Sequence, residues 1–200
     1  MLLLYFLAAG LILGRLAGGR VAGIGSVEFR WVPLAVGGLL VQVALFAQPV
    51  AARIGDMGPP LYVASTVAVL CALLRNVRLP GLAVVAVGAV LNLIAIVSNG
   101  GFMPSSPEAW AALNGVGVVP TADYSNSALI GPGTLFPFLG DVFYLPRPIP
   151  FANVFSIGDV LIGVGVAYLL VRAMQGRASR AAAEPVRSRG SRLGLPQANP

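Results

Sequence analysis

Few side chains in this chain can do acid–base, nucleophilic or ligand chemistry. Seven residues are Asp or Glu, all 13 basic residues are Arg, there is no His and no Lys, and Cys71 is the only cysteine. An imidazole base and a His-liganded zinc or haem are therefore excluded. So are a lysine Schiff base, a Walker A lysine, an intramolecular disulfide and a cysteine metal cluster. Two Gly-Asp pairs remain: Phe138-Leu139-Gly140-Asp141-Val142 and Ser156-Ile157-Gly158-Asp159-Val160. Two aspartates at one surface can share a proton or hold a cation, or form a dyad that activates water. Ser156 and Asp159 also have the spacing of a capping box, with Asp159 favoured by the dipole of the helix it opens. Asp141 has no such local reason; its bland alternative is an ion pair with Arg147.

The elements that must position these residues are apolar. AVILMFWYC residues make up 57% of 200, only 10% are charged, and mean hydropathy is +0.86. A soluble domain carries about 25% charge, so the composition reads as a polytopic membrane protein. Five apolar segments are expected as spans: Met1 to about Gly18, Trp31 to about Ala52, about Met57 to Leu74, about Leu79 to Ser98, and about Phe155 to Met174. At ~1.5 Å per residue, lengths of this kind cross a ~30 Å hydrocarbon core. The first segment has no basic residue before it and no A-x-A site after it, so it reads as an anchor rather than a cleaved signal. With the amino terminus outside, eleven arginines fall on the cytoplasmic side and two outside, which the positive-inside rule favours. The fold expectation is an all-α membrane bundle of about five transmembrane helices, N-out and C-in, over residues 1–174. A basic cytoplasmic tail at 175–200, without apolar periodicity, is expected to be disordered.

The loop 99–154 is the unusual segment. It holds eight of the 16 prolines and the aromatics Phe102, Trp110, Tyr124, Phe136, Phe138, Phe143, Tyr144 and Phe151. A loop this apolar should fold over the outer face of the bundle as a lid, with Phe136 to Leu145 packed down. Ser106-Pro107-Glu108 reads as a helix start. Thr134 could cap a second short helix, and Pro146 to Pro150 should be extended.

Given that topology, Gln42, Gln48, Ser65, Thr66, Asn92 and Asn99 fall at mid-depth or in the outer halves of the spans. They form either an outward polar vestibule or interhelical hydrogen bonds. Asn92, Asn99, Asp141, Ser156 and Asp159 are the candidate ligand-binding residues, with the last four at the outer mouth. No residue set requires a metal, a cofactor or a catalytic centre. Gly10, Gly14 and Gly18 form a small-residue stripe that suits either an oligomer face or packing within the chain. The Arg-rich tail suits anionic lipid; nucleic acid is not expected as a partner, since no folded module accompanies it.

The set of motifs resembles one family. A leucine-rich first span ending in Gly14-Arg15 is one element, and Asn76-x-x-Leu79-Pro80-Gly81 before a span ending Asn99-Gly100-Gly101-x-Met103-Pro104 is another. Leu139-Gly140-Asp141 followed by Phe155 to Leu161 completes it. Over residues 1–174 the chain is similar to the uncharacterised bacterial multi-pass membrane proteins of domain of unknown function 5317. The resemblance implies a small membrane protein and transfers no site residue. Three functions are open: a non-enzymatic binding or accessory component of the bacterial plasma membrane with an outward polar pocket, a small-solute or ion transporter, and a membrane-embedded aspartyl hydrolase. The last rests on a Gly-Asp pair alone, where such hydrolases carry Gly-x-Gly-Asp.

Overall fold

The structure, a computed structural model, describes residues 1–47, 49–115 and 126–176; Gln48, Pro120, Tyr124 and the tail from residue 177 lie outside them. It is mostly helical. Five apolar helices appear at the expected places: α1 (Leu3–Leu16), α2 (Val32–Leu45), α3 (Gly58–Arg75), α4 (Leu82–Ser98) and, last in the chain, α6 (Ile157–Met174). Two stretches are long and apolar enough to cross a membrane, Gly55–Arg75 and Ile157–Met174. The other three helices are shorter than the segments that predicted them, with 14, 14 and 17 residues. Gly18, at φ 76°, stops α1, and its N–H bonds the Arg15 carbonyl, a glycine C-cap.

The helices pack in a row, α2–α3–α4–α6–α1, so the last helix sits between the fourth and the first. Glycine makes that position available. A Cβ on Gly158 would run into the Asn92 carboxamide, one on Gly165 into Val85 and the Gly81 carbonyl of α4, and one on Gly163 into the Phe6 ring of α1. From the other side, Gly10 lies against the Ala167 backbone and Gly14 against the Met174 side chain. Two positions of the small-residue stripe are thus used inside the chain, where α6 covers them, and Gly18 ends the helix. Of the two roles open to the stripe, Gly10 and Gly14 take internal packing.

Apolar clusters lie near the two opposite ends of the helices. Leu79, Leu82 and Val85 form one with Leu73 and Ile162. Leu45, Tyr62, Ala95, Ile96, Met103 and Leu139 form the other. Near the first of these, Asn76 clips the α3–α4 turn to the segment before α2. Its carboxamide donates to the Arg30 carbonyl and accepts from the Arg30 N–H, both at 2.7 Å.

The segment 99–154 has structure of its own. It contains β1 (Met103–Ser105), α5 (Pro107–Asn114), β2 (Ser127–Leu129), β3 (Phe143–Leu145) and β4 (Asn153–Phe155). β1 pairs with β2 in parallel, Met103 opposite Ser127. β3 pairs with β4 antiparallel, Phe143 opposite Phe155. Two small sheets therefore correct the all-α expectation. Ser106 caps α5 as predicted, accepting from the Ala109 N–H at 3.0 Å. Thr134 does not cap a helix; its hydroxyl accepts from the Gly131 N–H and closes a turn. Pro146 to Pro150 is a turn, not an extended run, with the Ile149 N–H bonded to the Pro146 carbonyl, because it must reverse the chain between β3 and β4. The packing-down of 136–145 is confined to Leu139, Gly140 and Asp141. Phe136, Phe138, Phe143 and Tyr144 stay exposed, Phe138 at 66%: β3 is an edge with its side chains turned out, and burial goes to the short residues that touch β1. Trp31, Phe136 and Phe151 are the non-glycine residues with positive φ among those described, and all three are exposed aromatics.

The α4–α6 seam predicts opposite signs for two glycine replacements. A Cβ at Gly88 would press on the Gly158 carbonyl and the Ile162 backbone, whereas one at Gly37 meets nothing within 4 Å. Gly88→Ala should cost about 1–3 kcal/mol in detergent-solubilised protein, as overpacking does. Gly37→Ala should leave stability unchanged or raise it by up to ~1 kcal/mol. Thermal unfolding of the two variants side by side is the check.

Candidate functional site

The site is built on the first turn of α6. Ser156, fully buried, is its N-cap: the Ser156 hydroxyl accepts from the Asp159 N–H and the Asp159 carboxylate accepts from the Ser156 N–H, both at 3.0 Å. The capping box read from the sequence is present. Asn92 of α4 closes the arrangement. It donates to the other Asp159 oxygen at 2.8 Å and accepts from the Ser156 hydroxyl at 2.9 Å. Each Asp159 oxygen thus has a donor, and the carboxylate is held in one orientation. Gly158 is what lets the Asn92 carboxamide lie against the helix start.

Asp141 arrives from the lid. Its N–H donates to the Pro104 carbonyl at 2.7 Å and its carbonyl accepts from the Ser106 N–H at 3.0 Å. A bridge to Ser105 sets the residue beside β1, and Gly140 allows the close approach to Pro104. The backbone is fixed, and the side chain is only 8% exposed. Its carboxylate accepts no hydrogen bond among the described residues. Burial first, and the nearby Asp159 charge second, push its pKa up to about 7, as expected for a carboxyl out of water beside a like charge.

Both carboxylates face one cavity of about 320 Å3. Asn126, Ser127 and Asn153 add amide and hydroxyl groups, and Met1, Leu2, Leu3, Val154 and Ile162 supply an apolar wall. Asp141 and Asp159 are therefore brought together, with Ser156 and Asn92 behind Asp159. Asn99 is not with them. It donates to the Ala95 and Leu135 carbonyls and accepts from the Leu135 N–H, so it ends α4 and pins the lid. This corrects its place in the cluster: a residue at a helix C-terminus finds orphan carbonyls within reach. Asn92 and Asn99, though seven apart on one helix, serve different neighbours.

Arg147 does not pair with Asp141; its guanidinium donates to the Leu113 carbonyl. Gln42 bonds Thr66 across α2 and α3 at 3.2 Å, and Ser65 and Thr66 bond back to the Tyr62 carbonyl. These three are interhelical and intrahelical ties, not parts of the pocket. Asn126, Ser127 and Asn153 were missed. They reach the cavity through the strand pairings of β2 and β4, which left no periodic signal in three-residue segments. Ser105 was missed too; it is fully buried, and its hydroxyl has no partner among the described residues.

Taken together, the chain is a mostly helical protein with two helices able to cross a membrane and an acidic pocket where a lid meets the start of its last helix. Residues 26–171 match the model of DUF5317, a family of unknown function, and the chain belongs to that family. No curated protein and no solved structure matches it significantly.

An unpartnered buried carboxylate costs stability, and the sign with pH follows. The folded chain holds the Asp141 proton up to about pH 7, while the unfolded chain releases it near pH 4. Stability therefore falls as pH rises from about 4 to 7 and stays low above that. Asp141→Asn should stabilise the protein at pH 8 by about 1–3 kcal/mol, and the gain should shrink below pH 7 and vanish near pH 4. Melting curves of both forms across this range test it; a variant less stable at every pH would contradict the reading.

Proposed function

We propose that this protein is a multi-pass component of the bacterial plasma membrane that binds a small ligand in its acidic pocket and does no chemistry on it. The observation that carries the reading is Asp141, a buried carboxylate held by its backbone, facing a cavity and without a hydrogen bond to its carboxylate among the described residues. A group kept in that state at a cost in stability is a mark of a functional site. Binding is favoured over hydrolysis because both Asp159 oxygens are engaged as acceptors and the Ser156 hydroxyl is committed to Asn92. It is favoured over transport because the α4–α6 seam running from the pocket is closed by glycine contacts at Gly158, Gly88 and Gly165. That arrangement suits a fixed bundle better than a rocking one.

All five apolar helices cross the bilayer in this proposal, with the amino terminus and the lid outside. The eleven-to-two division of arginines supports that orientation. The short helices α1 and α2, about 21 Å each at ~1.5 Å per residue, cross where the bilayer thins around them. The exposed lid aromatics Phe136, Phe138 and Phe143 suit the outer headgroup layer. The Arg-rich tail from residue 177 rests on anionic lipid inside.

Topology is tested by thiol labelling. In a Cys71→Ser background, Ser188→Cys should react only in broken cells; reaction in intact cells overturns the orientation. The pocket is tested by native mass spectrometry of protein purified in mild detergent. A small molecule should stay with the parent protein and be lost from Asp141→Asn, and equal retention by both removes the pocket from the proposal.

A further inference from the structure

The chemistry of the pocket wall narrows the ligand, on the assumption that the cavity is a binding site as proposed above. Two carboxylates face it against the single α-ammonium of Met1, and no Arg among the described residues lines it. Its other polar groups, Asn126, Ser127 and Asn153, all carry acceptor oxygens. A cation is the species such a wall stabilises. A bare metal ion fits poorly. About 320 Å3 is far more than one ion needs, and no group of three or more His, Cys, Asp or Glu among the described residues could hold one. The opposite wall, with Leu2, Leu3, Val154 and Ile162, is apolar and would face the carbon skeleton of an organic ion. Quaternary ammonium groups are recognised by aromatic faces, and none of the described residues lining this cavity is aromatic. Carboxylates and amide oxygens instead suit an ammonium that carries N–H donors.

We propose that the pocket binds a small primary alkylammonium compound, with its charged nitrogen between Asp141 and Asp159 and its alkyl chain against Leu3, Val154 and Ile162.

The two acids divide the task. Asp159, oriented by Asn92 and the Ser156 N–H, is a carboxylate fixed in place. Asp141, without a hydrogen bond of its own, is free to accept the ammonium donors. The groups whose charge bears on Asp141 are Asp159 on α6 and the α-ammonium of Met1 at the start of α1; the Tyr62 phenol of α3 also senses the Asp141 charge. Met1 lines the same cavity but makes no ion pair with either acid among the described residues. Because Asp141 offers its charge to a cation only when it is ionised, binding should be several-fold weaker at pH 6 than at pH 8.

The test is isothermal calorimetry on full-length protein in detergent at constant ionic strength, with 1-butylammonium, 1,4-diaminobutane and tetramethylammonium as probes. At pH 8 the two primary amines should bind and tetramethylammonium should bind at least tenfold more weakly. Asp141→Asn should lower primary-amine affinity at least tenfold at pH 8 and remove the pH dependence. Ile162→Ala, which leaves both acids in place, should weaken 1-butylammonium by a few-fold. Equal binding of tetramethylammonium, undiminished binding by Asp141→Asn, or no binding of either primary amine would each overturn the proposal. If the amines fail while purified protein retains a neutral or anionic molecule that Asp141→Asn loses, the pocket stands and its assignment to ammonium compounds falls.

Discussion

The start of α6 is a polar knot placed in an apolar bundle, and the rest of the molecule is arranged around keeping it satisfied. Ser156, Asp159 and Asn92 exchange four hydrogen bonds in a closed set. A helix terminus leaves orphan N–H groups, and burying them without partners would cost about 1–3 kcal/mol each. Here the partners come from one residue before the helix, one in its first turn and one on a neighbouring helix. That neighbour can reach only because Gly158 and Gly88 let α4 and α6 touch. Glycine that weakens a helix taken alone is therefore what permits its cap to be completed from outside.

The two aspartates show how the same residue type takes opposite roles from its surroundings. Asp159 is locked by donors and belongs to the architecture. Asp141 has a fixed backbone and a carboxylate without a hydrogen bond among the described residues, and it belongs to the cavity. Such a pair, in which one acid is held by donors and the other is driven toward its neutral form, is how an enclosed site sets a net charge that ligands and protons can compete for. The lid supplies the adjustable member, so chemistry at the pocket depends on the register of β1 against β2 and on Gly140 lying on Pro104.

Legibility in the sequence followed the reach of each interaction. The five apolar helices were visible from run length, and the Ser106 and Ser156 caps from a three-residue spacing, because their partners are local. Asp141 and Asp159 were legible as a pair only through their repeated Gly-Asp context. Asn99 was misplaced because helical phase says which face a residue occupies, not which neighbour covers it. The two small sheets were invisible: three-residue strands show no alternation, and each pairs with a segment distant in sequence. The aromatics of 136–145 misled because bulk apolar character predicts burial in water. Where lipid is the surrounding medium, exposure of Phe136 and Phe138 is no penalty.

The row order α2–α3–α4–α6–α1 has a consequence for how the protein is made. α1 leaves the ribosome before every other helix described, yet its glycine face is completed by α6, which leaves last of them. Until then Gly10 and Gly14 have no cover from α6, and the face of α4 that α6 fills stays open. The Arg20 N–H, which bonds the Met174 carbonyl at 2.8 Å, joins the two in the same late step. Contacts between distant segments are the slow ones to form. Biogenesis of this fold is therefore a matter of holding the first helix in waiting, and a nascent chain stopped short of α6 carries an unclaimed α1 able to take a partner from another molecule.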